Sequence, residues 1–248
     1  MVETLGTIAS SGTKAFIESS KTSENTKEVN DQLIGQFGVG FYSAFMVAEK
    51  VEVLSKKHGK KSASQWTSDG QSGYSITDAE RAETGTSIIL YLRKEAKEYL
   101  EQERITHLVK KYSDHIAQPI FFIGKKAEAE QLNTSAALWT RSAKDISKDE
   151  YNSFYHGVAS AYDSPFATLH NKTEGSVEFT NLLFVPSIAP FDLYDPERKS
   201  KLHLYGDHVF ITDDYEGLVP KWLRFVRGII DTPDVDLNVS REMLQQNP

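Results

Sequence analysis

The apolar residues of this chain change their spacing several times, and that alternation between a period of two and a period near 3.6 restricts the fold to a mixed α/β architecture. Lys50 to Ser55 alternates through Val51 and Val53, and Thr86 to Leu92 is rich in Ile, Leu and Tyr, so both are predicted strands of one sheet. From Lys97 onward, Leu100, Ile105, Leu108, Val109, Tyr112 and Ile116 keep to one side of a helix that Pro119 helps to end. The run Ile120 to Ile123 reads as a buried strand. Further along, Ser147 and Glu150 stand in the capping-box relation before a helix carrying Tyr151, Phe154, Tyr155, Val158 and Tyr162. Phe179 to Val185 and Leu202 to Ile211 read as strands, separated by a turn-rich loop with Pro186, Pro190 and Pro196. Leu218, Val219, Trp222, Phe225, Val226 and Ile229 then trace a broad helical stripe, with Pro220 in its first turn and Trp222 and Phe225 packed in the core.

Two polar segments interrupt this pattern. Ser19 to Asp31 follows neither period and reads as a surface loop, and GKKAEAEQ (124 to 131) has nothing to bury. At 248 residues the chain suits two ordinary domains, so the second segment marks the expected border: one domain over 1–124, a linker over 125–131, another over 132–248.

Composition narrows the chemistry. With no cysteine, disulfide scaffolds, thiolate metal sites and cysteine nucleophiles are excluded. A formal charge of −7 argues against nucleic acid as the main partner. No apolar run approaches the roughly 20 residues that cross a bilayer, and the N-terminus lacks the regions of a signal peptide, so no membrane partner and a cytoplasmic address are expected. The seven histidines form no HExxH pair and no close cluster, so no metal ligands are assigned. No GxSxG elbow is present either.

Two motifs remain that can carry chemistry. Residues 35 to 41 read GQFGVGF, with Gly35, Gly38 and Gly40 ahead of the helix-like FYSAFMVA. Closely spaced glycines before a helix let backbone amides approach an anion, although a tight turn needing positive φ explains the same spacing. The order is GxxGxG, and no Walker lysine follows, which disfavours the Rossmann and P-loop readings. In LNVSREMLQQN (237 to 247), Arg241 and Gln245 share one helical face and can reach one ligand. A guanidinium there suits a phosphate, while its neighbour Glu242 equally allows an ordinary surface ion pair.

Several strings occur together and in a fixed order: LGTIASSGTKAF (5 to 16), IGQFGVGFYSAF (34 to 45), KYSDHIAQPI (111 to 120), ALWTR (137 to 141), PSIAPFDLYD (186 to 195), LRFVRGIID (223 to 231) and LNVSREMLQ (237 to 245). In these the chain closely resembles the ninety-kilodalton heat-shock chaperones, above all their bacterial form, over almost its whole length. The resemblance implies the back half of a two-layer α/β ATP domain of the kind shared with gyrases and histidine kinases, followed by most of an α/β middle domain. Gly6 to Phe41 then looks like the mobile lid and its hinge. Gly35, Gln36, Phe37, Gly38, Val39, Gly40 and Phe41 would cradle phosphates through backbone amides, and Thr86 would border the adenine pocket. Arg241 and Gln245 match the middle-domain pair that reaches the γ-phosphate, and Phe210 matches an apolar position that helps to receive the nucleotide domain. Thr4, Ser10 and Asp236 depart from the usual family residues, which makes the lid the least secure part of the match.

For the complete protein the resemblance implies ATP and Mg²⁺ as cofactors, partly folded client proteins as partners, and a homodimer in the cytoplasm, with the mitochondrial matrix as the alternative address. Two other functions stay open: a nucleotide-free client-binding module, and another ATPase of the same superfamily, such as a gyrase or mismatch-repair subunit. Those enzymes place a lysine where SRE stands here. The family carries its general-base glutamate, metal-binding asparagine and adenine-binding aspartate ahead of the lid, so the chain of 248 residues on its own is expected not to hydrolyse ATP. A phosphate-release assay checks this, and measurable nucleotide-dependent turnover would contradict it.

Overall fold

The computed structural model describes residues 5–6, 38–125, 128–175, 177–195, 197–215 and 217–233. The chain mixes sheet and helix, as the changes of period require, and divides into two compact units that meet at Ile105 and Thr106.

Unit 1 is a four-stranded antiparallel sheet. Its strands are β1 (Ala48–Lys56), β2 (Ala63–Ser68), β3 (Tyr74–Ala79) and β4 (Gly85–Leu92), in the order β3-β2-β1-β4. The strands expected around Val51 and Thr86 are β1 and β4, and they pair directly, with Val51 opposite Leu90 and Val53 opposite Ile88. The strands β2 and β3 carry too few apolar residues for their period to show. Strand register puts Val51, Val53, Trp66, Thr86, Ile88 and Leu90 on one face, since paired residues share a side of the sheet. That face is covered only in part. A turn at Gly40–Ser43 and a short helix α1 (Ala44–Val47) pack on Val51, Val53 and Trp66, whereas Ile88 and Leu90 are 53% and 40% exposed. Ile89 and Tyr91, on the other face, are also exposed.

Helix α2 (Gln102–Tyr112) crosses the border between the units. It occupies the middle of the helix expected between Lys97 and Ile116.

Unit 2 is built on a five-stranded sheet of β7 (Pro165–Thr173), β8 (Phe179–Pro186), β9 (Lys201–Gly206), β10 (Val209–Thr212) and β11 (Arg227–Asp231), in the order β10-β9-β11-β8-β7. A separate hairpin pairs β5 (Phe121–Ile123) with β6 (Ala129–Gln131). Helix α3 (Lys148–Ala159) carries the expected capping box: the Glu150 amide donates to Ser147 Oγ, and Glu150 Oε2 accepts from the Ser147 amide. The Glu150 carboxyl is held down at about 2 by the Ser147 amide, with the Arg141 guanidinium and the Ser147 hydroxyl adding to it. Tyr151, Phe154, Tyr155 and Val158 of this helix pack against Leu182, Phe184, Tyr205 and Ile229 of the sheet.

Two expectations are corrected. The stripe from Leu218 to Ile229 is not a helix: only Lys221–Leu223 makes a 3-10 turn, most of the rest is irregular, and its end, Ile229, lies in β11, which is parallel to β9 on one side and antiparallel to β8 on the other. A strand in mid-sheet is buried on both faces and reads as a continuous apolar run, which helical spacing fits equally well. Trp222 is consequently 73% exposed and not part of the core. Residues 120–123 are not a buried strand either, because a two-stranded hairpin has no second layer; Phe121 and Ile123 are 52% and 67% exposed.

The segment 125–131 contains β6, and the two compact units are divided between Ile105 and Thr106. Asn133 lies just beyond β6. Its buried side chain donates to the carbonyls of Ser113, Ile116 and Gln118 at 3.3, 3.5 and 2.9 Å and accepts from the Ile120 amide at 2.8 Å. The irregular backbone of 113–120 has no ladder of its own, and this amide side chain, with bonds from Thr134 and Ser135 to Asp114 and between His115 and the Ala136 carbonyl, fastens it to the segment after β6.

Within β11, Gly228 adopts φ +124° and lies so close to β8 that a Cβ there would overlap the Leu182 carbonyl oxygen and stand 3.0 Å from Leu183 Cα. Gly228→Ala is expected to destabilise unit 2 by about 2–4 kcal/mol, combining left-handed strain with a steric clash against backbone. Urea unfolding followed by circular dichroism measures this, and a change within error of zero would contradict the packing.

Candidate functional site

The glycine turn is partly described. Gly38 sits at φ +67°, a conformation that costs an L-residue roughly 1–2 kcal/mol and glycine nothing. Beyond it the chain turns at Val39 and enters the 3-10 turn Gly40–Ser43, with the Tyr42 amide donating to the Val39 carbonyl at 3.0 Å and Ser43 Oγ to that of Gly40 at 2.7 Å. Among the described residues a Cβ at Gly40 would meet no atom within 4 Å, so these leave the space beside that backbone open. The first amides of a helical segment have no partner inside it and, with the aligned peptide dipoles, favour negative charge. The geometry therefore fits the approach of a phosphate oxygen to the backbone of Gly38 to Phe41.

Aromatic packing fixes the turn to the sheet. The Phe41 ring meets Trp66 edge-on at 5.6 Å, Phe45 lies 6.4 Å from Trp66, and Tyr74 stacks on it at 6.0 Å. Tyr42 Oη donates to the Leu5 carbonyl at 3.0 Å. Thr86 stands opposite Ser55 in the β1–β4 ladder, and their hydroxyls are 2.8 Å apart. It is exposed, on the sheet face that Phe41 covers nearer β2. Sequence reasoning singled out neither Trp66 nor Ser55. Trp66 carries a signal in retrospect, as the only large apolar residue of a polar strand.

Of the expected site residues, Gly38, Val39, Gly40, Phe41 and Thr86 lie in unit 1, with Phe41 and Thr86 on the same face of its sheet. Gly35, Gln36 and Phe37 lie outside the described residues, and so do Arg241 and Gln245. Among the described residues no group of three His, Asp or Glu could hold a metal ion, and no helix is long and apolar enough to cross a membrane.

In unit 2, Phe210 packs edge-on against Tyr112, His203 and Tyr205 at centroid distances of 5.5 to 5.9 Å. Beside it lies a polar network that the sequence did not disclose. Asp231, at the end of β11, accepts from Trp139 Nε1 at 2.7 Å and from His208 Nδ1 at 2.5 Å. His115 packs edge-on to Trp139 at 4.7 Å, its Nδ1 bonded to the Ala136 carbonyl. Burial pushes the imidazoles of both His115 and His203 below their ordinary value.

Residues 123–248 match the family model of the Hsp90 protein. Along its whole length the chain is 51% identical to the chaperone protein HtpG of Roseobacter denitrificans, of which it covers 39%, and 50% identical to that of Rhodospirillum rubrum, of which it covers 40%. The HtpG of Orientia tsutsugamushi is 49% identical over the same span, with 39% covered. The chain spans about two fifths of the length of these curated relatives.

Because His115 and His203 are held neutral in the fold, the unfolded chain takes up protons first as the pH falls below 6.5. Their contribution to the stability of unit 2 is complete above that value and is lost on acidification. The urea midpoint is expected to drop between pH about 7.5 and about 5.5, and to drop less in a His115→Gln, His203→Gln variant. Equal drops in the two proteins would exclude this origin.

Proposed function

The chain belongs to the Hsp90 family, and on that premise we propose that it forms the back half of the ATP domain and most of the middle domain of an ATP-dependent chaperone acting on partly folded proteins. What supports this most directly is the turn at Gly38 to Phe41, where left-handed backbone, open space at Gly40 and an aromatic anchor coincide with the glycine motif expected to meet phosphates. Gly35, Gln36 and Phe37 would complete the cradle, with Thr86 at the border of the adenine pocket. Arg241, seconded by Gln245, would reach the terminal phosphate when the two domains close. Phe210 would offer part of the apolar surface that receives the nucleotide domain.

Bound as its Mg²⁺ complex in the complete protein, ATP would supply the phosphoryl group whose hydrolysis drives the cycle. The task of this chain's residues is electrostatic and positional. Backbone amides orient the phosphates without adding charge, and the planar guanidinium of Arg241 meets charge that grows on the transferring group. Lid closure over Gly6 to Phe41 would gate turnover and exclude water. Membership of the Hsp90 family removes the gyrase and mismatch-repair alternative, and the bacterial relatives favour a cytoplasmic address over the mitochondrial matrix.

The border between the two functional parts is proposed at residues 125–131, because the string KYSDHIAQPI (111 to 120) belongs with the nucleotide half in the family pattern. Its packing with unit 2 in this chain speaks for an earlier border.

A second reading, client binding without nucleotide, has one observation in its favour. Ile188, Phe191 and Tyr194 of the PSIAPFDLYD loop are 69%, 102% and 92% exposed. Exposed apolar groups on one short loop suit contact with unfolded chains.

The two readings part on Arg241. In the complete protein Arg241→Ala is expected to lower kcat for ATP hydrolysis about 10³-fold, the range found where an arginine stabilises phosphoryl transfer, with nucleotide affinity little changed. Unaltered turnover would remove Arg241 from the mechanism and leave the nucleotide-free reading as the better one.

A further inference from the structure

Two arginines of unit 2 converge on the backbone carbonyl of a third. Arg198 Nε and Arg227 Nη1 both donate to the Arg224 carbonyl oxygen, at 3.4 and 3.2 Å. The Arg224 guanidinium donates back to the Arg198 carbonyl and, at 2.9 Å, to that of Lys221. Strand pairing fixes this arrangement: Arg227 opens β11 directly opposite Lys201, and Arg198 lies three residues before Lys201 on the approach to β9.

Among the described residues, Arg198 and Arg227 meet one carboxylate between them. Arg198 is 6% exposed, and its Nη1 meets the carboxylate of Asp192. Its Nη2 has no hydrogen-bond partner among the described residues, and the same holds for Oγ of Ser200, also 6% exposed, two positions further on. Arg227 Nη1 donates to the carbonyls of Arg224, Phe225 and Val226, and no described carboxylate pairs with this guanidinium. Burial lowers the pKa of both arginines, and the charge of Arg224 beside Arg198, and of Arg198 beside Arg227, lowers it further.

Buried donors without acceptors and buried like charges are both costly, and such groups in a folded protein call for an explanation such as a bound ion. A carboxylate offers two oxygens in one plane. A tetrahedral oxyanion offers more, in several directions, which suits two guanidinium forks arriving from different segments. Arg227 and Arg224 are only half-buried, so the cluster has a way in from solvent.

The geometry points to an oxyanion site in unit 2, where a phosphate ion or the phosphate group of a small metabolite is held by Arg198 and Arg227. None of these residues is among those proposed for the nucleotide, so the site stands or falls separately from that reading.

The test is titration calorimetry of the intact chain with sodium phosphate, and with sodium chloride at matched ionic strength as the control. Saturable heat with phosphate alone is expected. Arg227→Gln, which keeps the fold by circular dichroism, should weaken binding at least tenfold, and Arg198→Met should abolish it. Glycerol 3-phosphate separates the two sources: tighter binding than inorganic phosphate assigns a phosphomonoester, and weaker binding assigns the free ion. Identical responses to phosphate and chloride would overturn the proposal. So would an Arg227→Gln protein that binds phosphate as the parent does, a result that decides the matter even if Arg198→Met fails to fold.

Discussion

The buried carboxylate of Asp231 is the contact on which unit 2 most depends. It lies 5% exposed at the end of a central strand and accepts from the Trp139 indole and the His208 imidazole. The link continues from there, because the Trp139 carbonyl is bonded to His170 Nε2 and the other ring nitrogen of His170 meets the Tyr151 hydroxyl. One chain of hydrogen bonds thus joins β11, the 3-10 turn at Leu138–Thr140, β7 and helix α3. Around it pack Tyr155, Leu182, Phe184, Tyr205 and Ile229. Taking away the carboxylate would leave a buried indole N–H without an acceptor, which costs more than the bond itself contributes.

Unit 1 has a simpler centre. Trp66 gathers Phe41, Phe45 and Tyr74 about its ring, and through Phe41 the glycine turn is fixed to the sheet. The half of the same face that lies over β4 keeps Ile88 and Leu90 in solvent. The aromatic packing thus holds the turn against one part of this face, while the part over β4 is open to solvent.

How much of this could be read in advance depended on how local its cause is. The capping box at Ser147 and Glu150, the strand alternation at Val51 and Val53, and the glycine spacing from 35 to 40 each follow from contacts within a few residues of chain. Trp222 shows the opposite case. Its run of apolar neighbours fits a buried helix and a central strand equally, and the choice fell to β8 and β9, which supply hydrogen bonds on both edges of β11. Phe121 and Ile123 looked buried for a similar reason, since an apolar run does not reveal whether a second layer exists to cover it.

By itself, then, the sequence determined the mixed α/β class, the helix start at Ser147, and, through strings spread over its whole length, the family and the residues proposed to meet nucleotide. Only the tertiary structure decided that residues 113–120 fasten to Asn133, that Asp231 receives Trp139 and His208, and that Arg198 and Arg227 share a carbonyl. The physical reason is one of range. Caps and turns are settled by bonds between near neighbours, whereas a buried polar group finds its partner wherever folding brings one: Asn133 bonds backbone 13 to 20 positions away, and Asp231 an indole 92 positions away.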